Sequence, residues 1–276
     1  KHTVCWVDRD TLWVGYDYGE GTMSPSGYPL TTRKWSRGTK LEDATEIFRG
    51  EATDVSAGGS FYYDKDEKYA MFYRMATFND IEYYYWFEGD KDLTKVKWIA
   101  SSCRIQTFKK KVLIMPKEVW SFGGKVYKAG SLLSCDFETF VKEGHLDAVF
   151  LGAGARTVGE EPKCDIQILY EPANDRCAYE GATDSRDYLY VSSLENLQSK
   201  ITVYRFDDAT NAFILEGAHE AENCQTFSVG GAEPNSTNAL FASSSGFLNP
   251  STYLYSEVGG LKGIKNAQSL KSSSSW

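Results

Sequence analysis

The chain has 276 residues and a formal net charge of -8, with 42% hydrophobic, 14% aromatic and 25% charged side chains. That composition belongs to folded globular proteins and excludes the disordered class, and an acidic balance whose only dense basic run is Lys109-Lys110-Lys111 excludes a nucleic-acid-binding stripe. No stretch approaches the roughly 20 apolar residues of a membrane-crossing helix, and Tyr, with 18 residues against three His, leads a bias toward side chains that fit half-buried strands.

The start, Lys1-His2-Thr3-Val4, has neither an initiator Met nor a signal-peptide pattern and enters strand-like sequence at once, so a fragment or processed product is expected. In Thr11-Leu12-Trp13-Val14-Gly15-Tyr16-Asp17-Tyr18 the larger side chains at 12, 14, 16 and 18 fall on one face of a strand. Similar runs follow at 69–78, 81–87, 112–115, 148–151, 166–170, 188–191, 201–206, 212–215, 240–242 and 253–255. Asp-rich turns join several of them: Asp8-Arg9-Asp10, Asp64-Lys65-Asp66, Asp90-Lys91-Asp92 and Asp207-Asp208. Asp bonds its own backbone and tolerates the left-handed conformation of tight hairpins. None of these runs continues into the glycine and distal glutamate of an EF-hand loop, so they are read as hairpins.

The one helical hint is Cys135-Asp136-Phe137-Glu138-Thr139-Phe140-Val141, which sets Phe137, Phe140 and Val141 on one face, with Gly144 placed to end a one-to-two-turn insertion. Breaks near Gly50, Ser101, Ala178 and Ala218 divide the chain into about five units of roughly 40 to 55 residues, the third enlarged, as expected for four-stranded propeller blades. An irregular β-sandwich is the competing architecture. From Gly259-Gly260 to Ser272-Ser273-Ser274-Ser275-Trp276 the strand pattern is lost, and the tail reads as a linker or extended connection.

Motifs that carry chemistry are sparse. No G-x-S-x-G elbow occurs, and Ser60, after Gly58-Gly59, leads into strand-like Phe61-Tyr62-Tyr63 rather than a helix, so it reads as a loop serine. His2 sits at the terminus and His145 reads as a solvated loop residue. His219, in Ala218-His219-Glu220-Ala221-Glu222, reads as part of an acidic surface turn that would raise its pKa, with a weak metal site including Cys224 as the alternative. Glu160-Glu161 and Asp184 with Asp187 offer paired carboxylates, but a glycosidase needs two of them facing each other across a sugar, which spacing alone does not provide. The aromatic residues read as blade cores before a peptide or glycan groove. Gly152-Ala153-Gly154-Ala155-Arg156 lacks the Lys-Ser/Thr ending of a phosphate loop. Cys5, Cys103, Cys135, Cys164, Cys177 and Cys224 are scattered without a C-x-x-C pair and read as buried thiols, a disulfide such as Cys164 to Cys177 being the alternative.

The stretch from Trp6-Val7-Asp8-Arg9-Asp10-Thr11-Leu12-Trp13-Val14-Gly15 through Asp17-Tyr18-Gly19-Glu20-Gly21-Thr22-Met23-Ser24-Pro25-Ser26-Gly27-Tyr28-Pro29 resembles the propeller of prolyl oligopeptidase-family serine peptidases. So do Lys34-Trp35-Ser36-Arg37-Gly38-Thr39, Phe48-Arg49-Gly50-Glu51-Ala52-Thr53-Asp54-Val55, Tyr127-Lys128-Ala129-Gly130-Ser131-Leu132-Leu133 with Asp136-Phe137, and Phe247-Leu248-Asn249-Pro250-Ser251-Thr252-Tyr253-Leu254-Tyr255, which together span almost the whole chain. The resemblance implies an all-β fold, with about five four-stranded blades of a seven-bladed β-propeller at 1–258 and a connection toward an α/β-hydrolase domain at 259–276. It implies a non-catalytic propeller that gates short peptides toward that domain, in the same or another chain. The family's Ser, Asp and His lie outside the matched part, so no catalytic position is assigned here. No cofactor-binding or metal-ligating residue is assigned either, and neither nucleic acid nor membrane is expected as a partner. A free-standing propeller serving as a binding or scaffold module is the alternative, because a fold alone does not fix function. A glycan-binding or glycan-cleaving propeller is a third, more remote reading. An open run of blades would leave strand edges and apolar faces bare.

Overall fold

A computed structural model describes residues 1–87, 91–96, 99–142, 164–222 and 225–270. The regular structure among these residues is mostly strand, in five four-stranded antiparallel sheets and one two-stranded hairpin. The first holds β1 (Thr3–Trp6), β2 (Thr11–Gly15), β3 (Thr31–Ser36) and β4 (Thr45–Arg49); the second holds β5 (Ser56–Asp64), β6 (Glu67–Met75), β7 (Ile81–Phe87) and β8 (Thr94–Lys95). After β9 (Arg104–Phe108) and β10 (Lys111–Met115) comes a small hairpin, β11 (Trp120–Phe122) and β12 (Lys125–Tyr127). Then follow β13 (Leu132–Asp136), helix α1 (Phe137–Lys142) and β14 (Gln167–Tyr170), and the third sheet has the order β14-β13-β10-β9. The fourth sheet is β15 (Cys177–Asp184), β16 (Tyr188–Glu195), β17 (Gln198–Asp207) and β18 (Ala212–Glu220). The fifth is β19 (Gln225–Gly231), β20 (Leu240–Gly246), β21 (Thr252–Ser256) and β22 (Gln268–Ser269), with helix α2 (Gly260–Asn266) between its last two strands.

Each sheet meanders in chain order, which is the blade pattern and not the crossing connections of a sandwich. The expected breaks at Gly50 and Ser101 fall between sheets, and the one at Ala178 falls at the first residues of β15. Ala218 lies inside β18, paired with Thr202, so the fourth break comes a few residues later. The third unit is enlarged by the β11–β12 hairpin and α1. The 148–151 run, Gly144 and Gly152 to Arg156 lie outside the described residues, as do Asp90 and the final 271–276.

The chain divides into two compact units: 1–129 with 135–166, and 130–134 with 167–276. In the first, β6 buries Tyr69 on one face and Phe72 on the other and β7 buries Tyr85, while α1 turns Phe137, Phe140 and Val141 inward. Tyr85 and Phe137 meet edge to face at 4.7 Å, and Trp13 and Phe48 each approach Phe72 at 4.9 Å. Such pairs add roughly 0.5–1.5 kcal/mol beyond the area they bury. Asp136 caps α1, its Oδ1 accepting from the Thr139 amide at 2.9 Å.

The second unit packs Tyr190, Ile201, Val203, Val229, Leu240, Ala242 and Ile264 into one core. Ile264 belongs to α2, which corrects the reading of the segment after Gly259 as an extended linker. Gly260 starts this helix at φ +70°, with its amide on the Tyr190 hydroxyl at 3.0 Å, and β22 then pairs with β21. A helix of two turns leaves too little apolar periodicity to be seen in sequence, and two glycines hide it further.

The first hairpin follows the expected turn chemistry, Asp8 Oδ1 accepting from the Asp10 amide at 2.8 Å. Between β5 and β6 it is Lys65, not an aspartate, that takes the left-handed conformation, at φ 58°, and Asp207 Oδ2 accepts from the Thr210 hydroxyl at 2.6 Å. No helix among the described residues is long and apolar enough to cross a membrane.

Candidate functional site

One depression in the first unit is a cleft of about 590 Å³ at one end of the second sheet, lined by Asp80, Glu82, Lys95, Ser101 and Glu118 over an apolar floor of Ile81, Val96 and Ile99. Strand register builds it. Arg74 on β6 stands opposite Glu82 on β7, and Tyr84, two residues along the same face, stands opposite Lys95 on β8. Lys95 Nζ donates to Glu82 Oε1 at 2.6 Å, and the Tyr84 hydroxyl donates to Glu82 Oε2 at 2.8 Å. Behind them the Arg74 guanidinium forks onto the buried Asp54 carboxylate, with Nε at 2.9 Å and Nη2 at 3.3 Å, and its Nη1 lies 3.4 Å from Glu51 and 3.6 Å from Glu82. Asp80 accepts from Thr77 Oγ1 at 2.7 Å and from Ser101 Oγ at 2.8 Å.

The electrostatics follow from these partners. Burial pushes the Glu82 carboxyl up, but the hydrogen bonds from Lys95 and Tyr84 and the charge of Arg74 outweigh it and hold the group below its ordinary range. Thr77 and then Ser101 hold Asp80 low, and the hydrogen bond to Asp54 raises Arg74. Each of these charges is already satisfied by a neighbour. The constellation is a brace for the sheet end, with no nucleophile set against a base.

The residues singled out in the sequence are placed as follows. Ser60 lies inside β5, opposite Met71, and not in a loop; a strand-borne serine with no helix after it is no nucleophile elbow. His219 lies on β18 opposite Ile201, not in a turn, with its ring 4.3 Å from that of Phe227. Burial, then the Lys265 charge, lowers its pKa, which corrects the expected rise: of Glu220 and Glu222 only Glu220 shares its strand, and it points to the other face. Asp187 accepts from Asn238 Nδ2 at 2.8 Å and returns its own amide to Asn238 Oδ1 at 2.9 Å, fixing the β15–β16 turn, so it serves structure. His2 is exposed ahead of β1. His145, Glu160, Glu161 and Cys224 lie outside the described residues. Cys5, Cys103, Cys135, Cys164 and Cys177 are free thiols, which removes the Cys164–Cys177 bridge. Among the described residues no group of three or more His, Cys, Asp or Glu is placed to hold a metal ion. The Arg74–Glu82–Lys95 brace went unseen in sequence; its only trace is the two-residue spacing of Glu82 and Tyr84, which tells nothing of what lies across the sheet.

No family model matches the chain. An oligopeptidase-like architecture emerges from solved structures. The post-proline cleaving enzyme of Rickettsia typhi superposes with a TM-score of 0.78 at 14% identity, covering 98% of this chain and 36% of that one. The fold is that of the prolyl oligopeptidase propeller. Oligopeptidase B of Leishmania major matches this propeller with a TM-score of 0.62 at 12% identity, covering 98% of this chain and 33% of its own.

Two curated relatives agree. One, named uncharacterized peptidase y4nA, of Sinorhizobium fredii, is 28% identical over 258 residues, 91% of this chain and 32% of the relative. The other, uncharacterized peptidase RP174 of Rickettsia prowazekii, is 22% identical over 269 residues, 95% of this chain and 34% of the relative. The chain thus spans about a third of the length of the curated relatives it matches. In this propeller the brace at Arg74 and Glu82 ties together the start of β5, the end of β6 and the start of β7.

Proposed function

We propose that this chain is the non-catalytic propeller portion of a prolyl oligopeptidase-type serine peptidase, gating short peptides toward an α/β-hydrolase domain outside these residues. The observation that carries the reading is the match of 98% of this chain to only 36% of the Rickettsia typhi post-proline cleaving enzyme. Two features support it. Glu82, Lys95 and Asp80 at this cleft are engaged in bracing the sheet end, so they offer position more than chemistry. The terminal sheets also leave large apolar side chains bare: Val4 and Trp6 on β1, and Phe241 and Tyr253 on β20 and β21. In a stack of blades such faces are covered by the next blade.

The test is to isolate the protein from its native source, measure its intact mass and label it with a fluorophosphonate, which reacts with activated serines. A mass more than twice 31.0 kDa with one labelled serine and cleavage of short peptides but not folded proteins is expected. An unlabelled product of the mass of this chain overturns the peptidase reading and leaves a free-standing binding module. Unrestricted cleavage of folded proteins by a labelled product overturns the gating role alone.

A further inference from the structure

We propose that the apolar turn tips at one end of the second unit, Leu197, Phe247 and Leu248, form a docking surface for the α/β-hydrolase domain of the same protein. The inference rests on the peptidase reading above and adds which end of the sheets, and which side chains, meet that domain.

Strand register brings the tips together. The β15–β16 turn is tied to the β19–β20 turn, the Arg186 amide donating to the Thr237 carbonyl at 2.9 Å and the Asp187 amide to Asn238 Oδ1 at 2.9 Å. β16 and β20 both run away from that junction, so the turns that follow them, at 196–197 and 247–251, lie at the opposite end. Contacts at that end agree. Ser199, two residues past Leu197, donates through Oγ to the Phe227 carbonyl at 3.2 Å, and on the same β19 Gln225 stands opposite Gly246, the residue before Phe247.

The two ends differ in chemistry. The junction end is polar and cross-linked, with Asn238 Nδ2 also donating to Asp187 Oδ2 at 2.8 Å and Arg186 Nη1 to the Asn235 carbonyl at 3.1 Å. The other end carries the three most exposed large apolar side chains among the described residues: Phe247 at 100%, Leu248 at 91% and Leu197 at 88%. Single exposed apolar side chains need no explanation, but three gathered at one end of neighbouring sheets mark an interaction surface.

Charge and chain course select the occupant. A lipid surface favours Lys and Arg around apolar tips, yet residues 195–198 and 246–251 hold no basic group and one acid, Glu195. β22 pairs with β21 so that Gln268 faces Tyr255 and Ser269 faces Leu254, and the Leu270 amide donates to the Tyr253 carbonyl at 2.9 Å. The strand therefore advances toward the 247–251 turn, and polypeptide continuing past it is delivered to the same end. The peptidases that this chain matches carry a hydrolase domain besides the matched propeller part. Phe247 and Leu248, held on a hairpin, give such a domain an apolar interface core.

The experiment places p-benzoylphenylalanine at position 247 of the whole protein, irradiates it, labels the reactive serine with a fluorophosphonate and maps cross-linked peptides by mass. Hydroxyl-radical footprinting of the unsubstituted protein runs beside it. Expected are a cross-link, within one molecule, to a peptide of the domain that carries the labelled serine, and oxidation of Phe247 and Leu248 as slow as that of the buried Phe206 and Phe213. Phe247 is fully exposed in this chain, so the substitution leaves the core untouched; if the substituted protein still fails to fold, the footprint decides. A cross-link to residues 1–276 of a second copy, a cross-link to lipid, or rapid oxidation of both side chains in a protein whose serine is labelled overturns the docking surface and leaves the peptidase reading standing. Absence of any labelled serine overturns both.

Discussion

Replacing Arg74 by Ala isolates the brace behind the cleft. Asp54, with a side chain only 2% exposed, accepts both arms of the guanidinium, and its one other fixed donor is the Glu51 amide at 2.7 Å. Removing one partner of a buried ion pair costs about 3–5 kcal/mol. Arg74 is itself 23% exposed, so water reaches part of the gap and about 2–3 kcal/mol is expected. Asp54→Ala should cost less, about 1 kcal/mol, because Arg74 keeps Glu51 and Glu82 within 3.6 Å. The double variant should then resemble Asp54→Ala, giving a coupling of roughly 2–3 kcal/mol. Urea unfolding followed by circular dichroism supplies the four free energies, and hydrogen exchange of the β5–β7 amides shows whether the loss is local. Additivity of the single variants to within about 0.5 kcal/mol would refute the argument, because it would mean the two side chains act independently.

The remaining expectations are simpler. His219 titrates below its unfolded value, so the folded state binds a proton less readily than the unfolded one, and stability should fall as pH drops from about 6.5 through the lowered folded pKa; His219→Phe should flatten that slope, and proton NMR should place the midpoint below 6.5. Glu82 is likewise depressed, so its contribution is present above the ordinary glutamate range and lost as pH falls through the folded value; Glu82→Gln should remove the acid-side step in urea titrations. A Cβ on Gly260 would meet Tyr188 Cε1 at 2.6 Å at a positive φ, so Gly260→Ala should cost about 2–4 kcal/mol and lower Tm, whereas Gly27→Ala, also at positive φ but in open space, should cost about 1 kcal/mol.

Strands were legible wherever alternation or a short continuous apolar run was strong. The run at 81–87 coincides with β7, and 112–115 with β10, because Val112, Leu113 and Ile114 are all fully buried and nothing competes with their strand preference. The helix α1 was legible for the same reason at a different period, with Phe137, Phe140 and Val141 inward. What failed were features fixed by partners distant in sequence. The turn between β16 and β17 has Asn196 and Leu197 at φ 52° and 72°, a conformation usually marked by Asn-Gly, and Leu197 there is 88% exposed. His219 reads in sequence as part of an acidic turn because Glu220 and Glu222 follow it; on β18 it is Phe227 and Lys265, from the next sheet and from α2, that set its environment. The brace is hidden likewise, since Asp54 and Arg74 are 20 positions apart.

The bare faces of the terminal sheets lead to the last expectation. Val4 and Trp6 alternate to one side of β1 and are 56% and 57% exposed, whereas Trp13 on β2 points to the other side and packs on Phe61 and Phe72. Phe241 and Tyr255 pair across β20 and β21, with Tyr253 beside them 62% exposed. Fully burying a large apolar side chain stabilises by about 1.5–3 kcal/mol, so covering such a face contributes on the scale of a domain's whole stability of about 5–15 kcal/mol. If further blades cover β1 in a longer protein, Trp6→Ser should cost that protein about 2–3 kcal/mol and the 276-residue chain almost nothing, while reducing the chain's self-association in sedimentation velocity. Equal losses in both would mean that Trp6 is already buried in the short chain, and the argument for covering blades would fall with it.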